Sequence, residues 1–139
     1  FWDSFLKSQG HKHPVFASKK AVPRHFLTLK TGIGGVWVGL NVQRKQIYGD
    51  LFFYENAEKN LERFEHLLAH REEVEAAFGD SLSWQELEDS KATRIGYYGE
   101  GSLLDEANWP AYQKWLADTA LRFFKVVELP VVQEIRSIG

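Results

Sequence analysis

Three short stretches rich in β-branched and aromatic residues follow one another early in the chain, each separated from the next by a turn-forming link. They are FLTLK (26–30), VWVGLNV (36–42) and QIYGDLFFY (46–54), and the links are TGIGG and QRK. Stretches of this composition joined by short links are typical of antiparallel strands. The glycines of TGIGG supply the positive φ angles that a tight link requires. The pattern therefore predicts a three-strand antiparallel meander.

The period of the apolar residues then changes. From about 57 to 78 apolar residues recur every three or four positions, which predicts a long helix, and Gly79 stands where a helix stop belongs. In SWQELED, Ser83 and Glu86 have the spacing of a capping box, which predicts a single helical turn. KATRIGYY, which begins at residue 91, predicts a fourth strand.

Two further helices are predicted near the ends of the chain. FWDSFLKS puts its apolar residues on one face of a short opening helix. Near the other end, Pro110 suits a first helical position and Pro130 should kink or end the helix. The stripe of that long helix is Trp109, Tyr112, Leu116, Thr119, Phe123 and Val127. The predicted class is α+β: an antiparallel sheet of about four strands packed against two long helices, with a short N-terminal helix.

The length and composition fit one folded domain. A chain of 139 residues predicts a single α+β domain over 1–139, burying about two-thirds of its unfolded surface. Aromatic residues make up 14%, which supplies large rings for a core. There is no Cys, which fits a reducing compartment, and no apolar run long enough for a membrane span, so we expect a cytoplasmic protein without membrane contact. Because the chain begins at Phe1 and has no Met, we expect a fragment of a longer protein.

The net charge of −2 hides an uneven distribution. Residues 1–45 contain eight Lys or Arg and one acid, a net charge of +7, whereas residues 46–139 contain nine Lys or Arg and eighteen acids, a net charge of −9. Such a split predicts either a basic surface for a polyanion or attraction between the two halves of one fold. Both interpretations stay open at the level of sequence.

The sequence offers weak candidates for catalysis. Asp80, Asp89 and Lys91 resemble the two acids and lysine with which a divalent-metal phosphodiesterase or nuclease holds its metal and its attacking water. Their neighbourhood is typical of a polar turn, which favours a structural role. His66 and His70 have the four-residue spacing of a zinc-binding pair, but their helix face is rich in glutamate, as a solvated face would be. We therefore predict no catalytic residues, no metal and no cofactor.

Basic residues interleaved with aromatic ones are the stronger candidates for function. If the face of the sheet that bears them is left uncovered by helices, it could stack bases and contact phosphate oxygens. The same rings could instead fill the core. The predicted nucleic-acid or partner-binding residues are Lys19, Lys20, Arg24, Lys30, Trp37, Arg44, Lys45, Arg94 and Tyr97.

The order of several segments resembles a known prokaryotic family. The segments FW, TGIGGVW, NAEKNLERFEHLLAHREEVEAAFG, LSWQELEDSKATRI and NWPAYQKWL are similar to the family called domain of unknown function 4268. The most specific parts of the resemblance are Asn60 to Phe64, Glu75, Phe78 with Gly79, Leu82, Trp84, and Arg94 with Ile95. Members of that family are often the C-terminal part of longer proteins, some with a nuclease-like domain upstream and some near defence or restriction genes. The resemblance implies an accessory domain and carries over no catalytic residue.

The expected function is that of a non-enzymatic accessory or interaction domain. We expect it to dock onto a companion domain or protein, and to assist a nuclease or defence protein in binding DNA or that partner. Two alternatives stay open: the phosphodiesterase that would use Asp80, Asp89 and Lys91, and a small-ligand-binding module. The sequence does not define the oligomeric state.

Overall fold

The structure is a computed structural model that describes residues 1–17, 19, 21, 24–86 and 93–138. Its helices are α1 (Trp2–Gln9), α2 (Pro14–Ala17), α3 (Ala57–Leu68), α4 (Arg71–Phe78), α5 (Trp109–Val127) and α6 (Pro130–Gln133). Its strands are β1 (Phe26–Lys30), β2 (Val36–Val42), β3 (Ile47–Phe53), β4 (Ser83–Glu86) and β5 (Thr93–Gly99). Short 3₁₀ turns lie at Gly10–Lys12, Glu106–Asn108 and Glu134–Ser137.

The five strands form one antiparallel sheet in the order β1-β2-β3-β5-β4. The predicted meander is confirmed as β1, β2 and β3. The glycines of its first link adopt the expected positive φ angles, 87° at Gly32 and 78° at Gly35. The predicted fourth strand is confirmed as β5.

The predicted helical turn at Ser83–Glu86 is wrong, because this segment is the edge strand β4. Its backbone pairs with β5, with Trp84 opposite Ile95. The alternation of a strand turns the Trp84 ring toward Phe64, with 5.9 Å between the ring centroids. Pairing with an existing sheet outweighs a local capping signal, which is worth about 1 kcal/mol. The sheet therefore has five strands rather than about four.

The predicted long helix over 57–78 is two helices. The Asn56 side chain caps α3 by accepting a hydrogen bond from the Lys59 N–H at 2.9 Å, and α3 ends at Leu68. After a break at Ala69 and His70, α4 runs to the predicted stop at Gly79, whose φ angle is 97°. The break allows α3 to pack on the sheet while α4 packs mainly on α5.

The last long helix agrees with the prediction. Helix α5 has Pro110 in its first turn and ends before Pro130, and the predicted stripe supplies several of its buried residues. The core lies between this helix and one face of the sheet, where Leu40, Leu51 and Phe123 are completely buried. No helix among the described residues is both long and apolar enough to cross a membrane.

Candidate functional site

The helices of the described residues cover one face of the sheet and leave the other face uncovered. Along each strand the residues alternate between the helix-covered face and the opposite face, which we call the open face. On β2, for example, Val38 and Leu40 are completely buried under the helices, whereas Trp37 and Asn41 lie on the other side and are partly exposed. The partly exposed side chains of the open face, such as Trp37 and Asn41, are therefore available to a ligand.

The strand register arranges the open face in three rows that run across the sheet. The hairpin row, next to the turn between β2 and β3, consists of Phe26, Asn41, Tyr48 and Tyr98. The central row consists of Thr28, Gly39, Asp50, Gly96 and Ser83. The far row consists of Lys30, Trp37, Phe52, Arg94 and Gln85. Small side chains thus lie between two rows of large ones.

This size difference creates a cleft across β1, β2 and β3. The cleft has a volume of about 370 Å³. Its floor is formed by Thr28, Gly39 and Asp50 of the central row, and its walls include Phe26, Tyr48, Trp37 and Phe52. Clefts of this volume, lined by rings with a few polar groups, are typical of sites for small planar molecules.

Asp50 lies at the centre of the floor. It is only 3% exposed, although it lies on the face without helices. Its neighbours across the sheet are Gly39 on β2 and Gly96 on β5. A Cβ on Gly39 would overlap the Asp50 Oδ1 oxygen, so the glycine makes room for the carboxylate. A glycine inside a strand often marks such a close approach.

Arg94 lies over the same part of the face. Its Nε atom is 3.5 Å from Asp50 Oδ2, and its Nη1 donates a hydrogen bond to the Tyr48 hydroxyl at 3.3 Å. The guanidinium carbon is 5.7 Å from the centroid of the Tyr48 ring and 5.6 Å from that of Phe52. The cation is therefore held between a ring of the hairpin row and a ring of the far row, next to the carboxylate.

The electrostatics of this pair differ from those of a surface ion pair. Burial raises the pKa of Asp50 to about 6, and the Arg94 charge and the Gly39 backbone only partly offset that effect. Burial acts to lower the pKa of Arg94, but the Asp50 charge and the Tyr48 hydroxyl outweigh it, so that this pKa is raised. A strongly shifted carboxyl group in a cleft is a candidate functional group.

Tyr98 fills the β5 end of the central row. Its ring lies against Gly96, where a Cβ would come within 2.8 Å of the ring. Its hydroxyl accepts a hydrogen bond from Gln85 Nε2 at 2.8 Å, and its ring is 4.7 Å from that of Tyr48. The floor is consequently closed over β5 and open over β1 and β2.

Four basic side chains lie around the open face. Arg24 lies before β1 with its guanidinium carbon 5.4 Å from the Phe26 ring centroid, and Lys30 ends β1. Arg44 and Lys45 lie in the turn between β2 and β3. All four are exposed, and within the described residues none forms an ion pair with an acid. We call these four residues the cationic rim.

The structure brings six of the nine predicted binding residues to the open face or its rim: Arg24, Lys30, Trp37, Arg44, Lys45 and Arg94. Tyr97 lies on the helix-covered face, where its ring stacks on Trp115 and its hydroxyl donates to Asp80. Lys19 follows α2 and its backbone N–H donates to the Phe16 carbonyl. Lys20 lies outside the described residues.

The structure describes the two weaker candidate sites, the acid and lysine set and the histidine pair, to different extents. Asp89 and Lys91 lie outside the described residues, so the alternative of a phosphodiesterase that uses Asp80, Asp89 and Lys91 stays open. The third member, Asp80, is exposed, and hydrogen bonds from the Tyr97 hydroxyl and the Ser81 N–H lower its pKa. On α3, His66 Nε2 contacts Glu134 at 3.1 Å. Within the described part of the chain, no group of three His, Cys, Asp or Glu residues could hold a metal ion.

Sequence reasoning missed the central residue of the site, Asp50. Two signals could have found it: an acid between aromatic residues in YGDLF, and a glycine inside VWVGLNV on the neighbouring strand. A charged residue inside a strand is expected to face solvent or a site. Only the register shows that Asp50 lies directly between Gly39 and Gly96.

Fold and site together define an α+β domain with one helix-covered sheet face and one aromatic face with a polar cleft. The family described as "Domain of unknown function (DUF4268)" matches residues 1–130, and the chain belongs to this family. The resemblance found in the sequence is thus confirmed. No curated protein and no solved structure matches the chain.

Proposed function

We propose that this domain is a non-enzymatic binding module whose open face holds single-stranded nucleic acid for a companion domain or protein. The observation that carries the proposal is the aromatic cleft in a sheet face that the described helices leave uncovered. Bases would stack on its rings, and phosphates would contact the cationic rim.

The rings provide the stacking surface. Trp37, Phe52 and Tyr54 follow one another along one side of the cleft, and the Phe52 and Tyr54 rings are parallel within 10°. Tyr54 is 55% exposed, which leaves much of its ring available. Stacking of a base on an aromatic side chain contributes about 1–3 kcal/mol and tolerates any base, because every base has a π face.

The cationic rim complements a phosphate backbone. Lys30 lies at one end of the open face, and Arg44 and Lys45 lie at the other. Because a strand rises about 3.3 Å per residue, the seven residues of β2 separate these ends by roughly 23 Å. In contrast, the basic residues Lys7 and Lys12 of the N-terminal segment pair with Asp3 and Asp118. Within the described residues, the four basic side chains of the rim therefore remain available to an anionic ligand.

The geometry favours a single strand over a duplex. Asp50 and Gly39 lie in the floor of the cleft, between walls of large side chains. A base can reach them only when it is unpaired and unstacked from its neighbours, as in the recognition of single-stranded segments. The paired bases of a duplex would be held away from Asp50 and Gly39.

A titration at two salt concentrations tests this proposal. A fluorescently labelled oligodeoxythymidine of about eight nucleotides lies within the usual site size of roughly 4–16. If all four rim residues contact phosphates, at about 0.7 ions released per contact, the slope of log affinity against log salt is about −3. Affinity then falls about 50-fold between roughly 50 and 200 mM salt. Fluorescence anisotropy measures both values.

Matched variants identify the surface. Replacing Arg44 and Lys45 by Gln should reduce the slope to about −1.5, since two of the contacts are lost. The control replaces Lys114 and Lys125 by Gln; these exposed residues lie on α5, on the opposite side of the sheet, and the change in net charge is the same. An affinity that is independent of salt, equal binding of a duplex of the same length, or equal effects of both double variants would contradict the proposal.

A second candidate function is the binding of a small planar molecule. The volume of the cleft, about 370 Å³, favours it, since this value lies in the range of small-molecule sites. In that case a free nucleoside monophosphate would bind as tightly as the oligonucleotide. Replacement of Arg44 and Lys45 would then have little effect on the affinity. The same anisotropy assay, with the free nucleotide as competitor, distinguishes the two.

A further inference from the structure

The floor of the cleft presents a defined set of hydrogen-bonding groups. The Asp50 carboxylate offers two acceptor oxygens, and the Arg94 guanidinium beside it offers donors only. The nearest atoms of the pair, Arg94 Nε and Asp50 Oδ2, are 3.5 Å apart. Both side chains line the cleft, where acceptors of the carboxylate lie beside donors of the guanidinium.

This set is incompletely satisfied within the protein. A separation of 3.5 Å is too long for a strong hydrogen bond. Among the described residues, Arg94 Nε is a buried donor without a hydrogen-bond partner. A buried polar group in this condition lowers stability by about 1–3 kcal/mol, unless water or a ligand pairs with it. The pair therefore retains hydrogen-bonding capacity that contacts among the described residues do not use.

Guanine is the base whose Watson–Crick edge complements this set. That edge carries the O6 acceptor next to two donors, N1–H and the N2 amino group. A carboxylate can accept from both donors while a guanidinium donates to O6. Adenine and cytosine present an acceptor next to their amino group, and thymine presents one donor between two acceptors. Each of these would bring an acceptor against the carboxylate oxygens.

The walls fit a base that enters edge first. The floor is open over β1 and β2, where Phe26 of the hairpin row and Trp37 of the far row lie on opposite sides of Gly39. A ring between them directs its edge toward Asp50 and its faces toward the walls. The Arg94 guanidinium, near the Tyr48 and Phe52 rings, already occupies the corresponding position over β3.

We propose that Asp50 and Arg94 make the open face selective for guanine, accepting its N1–H and N2–H with the carboxylate and donating to O6 from the guanidinium. This inference rests on the proposed function and names the base that the cleft selects. Phosphate contacts by the cationic rim and stacking on the walls supply affinity for any sequence, and the floor supplies the preference.

A series of labelled oligonucleotides tests the inference on the unmodified protein. Each is a single-stranded oligodeoxythymidine of about eight nucleotides with one central replacement: guanine, hypoxanthine, adenine or cytosine. Hypoxanthine keeps O6 and N1–H but lacks the N2 amino group. Since one bidentate pair discriminates by about 1–3 kcal/mol, guanine should bind about 5- to 150-fold more tightly than adenine or cytosine. Hypoxanthine should lie between guanine and adenine.

The variant Asp50→Asn supplies the second arm. Asparagine has nearly the same shape but places an N–H₂ donor against a guanine donor. It should abolish the preference for guanine over adenine and cytosine. Equal affinities for guanine and adenine, equal affinities for guanine and hypoxanthine, or a preference that survives in Asp50→Asn would overturn the inference and leave the proposed function intact. If no oligonucleotide binds at all, the proposed function fails, and this inference fails with it.

Discussion

The two faces of the same sheet have opposite characters. Where β2, β3 and β5 face the helices, they contribute Leu40, Leu51 and Ile95, which are completely buried in a continuous apolar core. On the open face the same strands contribute Gly39, Asp50, Arg94 and a set of partly exposed rings. The covered face buries apolar surface, which is the main source of folding stability.

The difference shows that the open face is not explained by stability. A buried ion pair usually gains little, because removal of both charges from water costs several kcal/mol per ion. An apolar pair in place of Asp50 and Arg94, with larger residues in place of the strand glycines, would suit a structural sheet better. An arrangement that lowers stability at the centre of a cleft is typical of a binding site.

The largest expected effect concerns the covered face. Phe123 on α5 is completely buried in the core, and Phe123→Ala should lower the free energy of unfolding by about 3–5 kcal/mol, since it leaves a cavity. The matched change on the open face, Phe52→Ala, should lower it by less than about 2 kcal/mol, because that ring is partly exposed. Urea denaturation measures both values. Equal losses would show that the open face is also a core.

The next effect is a pH dependence of stability at Asp50. Because burial raises the pKa of this carboxyl to about 6 from an unfolded value of 3.8, the folded state binds the proton more tightly than the unfolded state. The stability that the protonated group contributes is present below pH 4 and is lost as the pH rises through 6. The variant Asp50→Asn lacks this dependence.

Relative to Asp50→Asn, the wild-type free energy of unfolding should therefore fall by about 2–3 kcal/mol between pH 4 and pH 7. Arg94 stays charged throughout this range, so any effect of the substitution on Arg94 is the same at every pH. Such an effect does not change the comparison between the pH slopes of the wild type and of Asp50→Asn. Denaturant unfolding at a series of pH values measures the two curves. If the difference in unfolding free energy between the two proteins does not change with pH, or if the wild type becomes relatively more stable as the pH rises, the carboxyl is not desolvated.

A third effect concerns affinity rather than stability. Trp37→Ala should weaken the binding of single-stranded DNA by about 1–3 kcal/mol, the usual contribution of one stacked base. Trp37→Phe keeps a ring in the cleft and should retain most of the affinity. Anisotropy titrations measure both variants. An unchanged affinity in Trp37→Ala would exclude this wall of the cleft from binding.

The smallest effect concerns a single charge of the rim. Lys30→Gln should reduce the salt slope of binding by about 0.7, the value for one phosphate contact on a single strand. Lys125→Gln, the same change on the exposed side of α5, should leave the slope unchanged. Identical slopes for the two variants would show that net charge, rather than the cationic rim, attracts the ligand.

The parts of the fold that follow from local signals could be predicted from the sequence. The meander depends on strand composition and on the glycines of TGIGG, and α5 depends on its apolar stripe and on Pro110. The edge strand β4 could not be predicted, because Ser83 and Glu86 carry a local helix signal that the pairing with β5 overrides. Such pairing depends on residues distant in the chain.

The candidate site was predictable only at its margins. The sequence indicated Trp37, Arg94 and the basic residues of the rim, because each has a recognisable chemistry. It did not indicate Asp50, whose position depends on the register of three strands and on which face the helices cover. It also placed Tyr97 with the binding residues, although strand alternation turns that ring toward Trp115 under the helices.

The most direct test of the account uses the five tryptophan indole N–H signals in a nitrogen-15 NMR spectrum of the labelled domain. Trp37 lies on the open face, whereas Trp84 packs against Phe64 under the helices, and the Trp2 and Trp109 indoles donate to backbone carbonyls. Addition of single-stranded DNA should shift the Trp37 signal, assigned by its loss in Trp37→Phe, and leave the Trp84, Trp109 and Trp115 signals nearly unchanged. The Trp2 signal should move less than that of Trp37, because the Trp2 indole contacts only the backbone of Arg24 in the cationic rim. A saturable titration in which Trp37 does not move while another indole does would contradict the account.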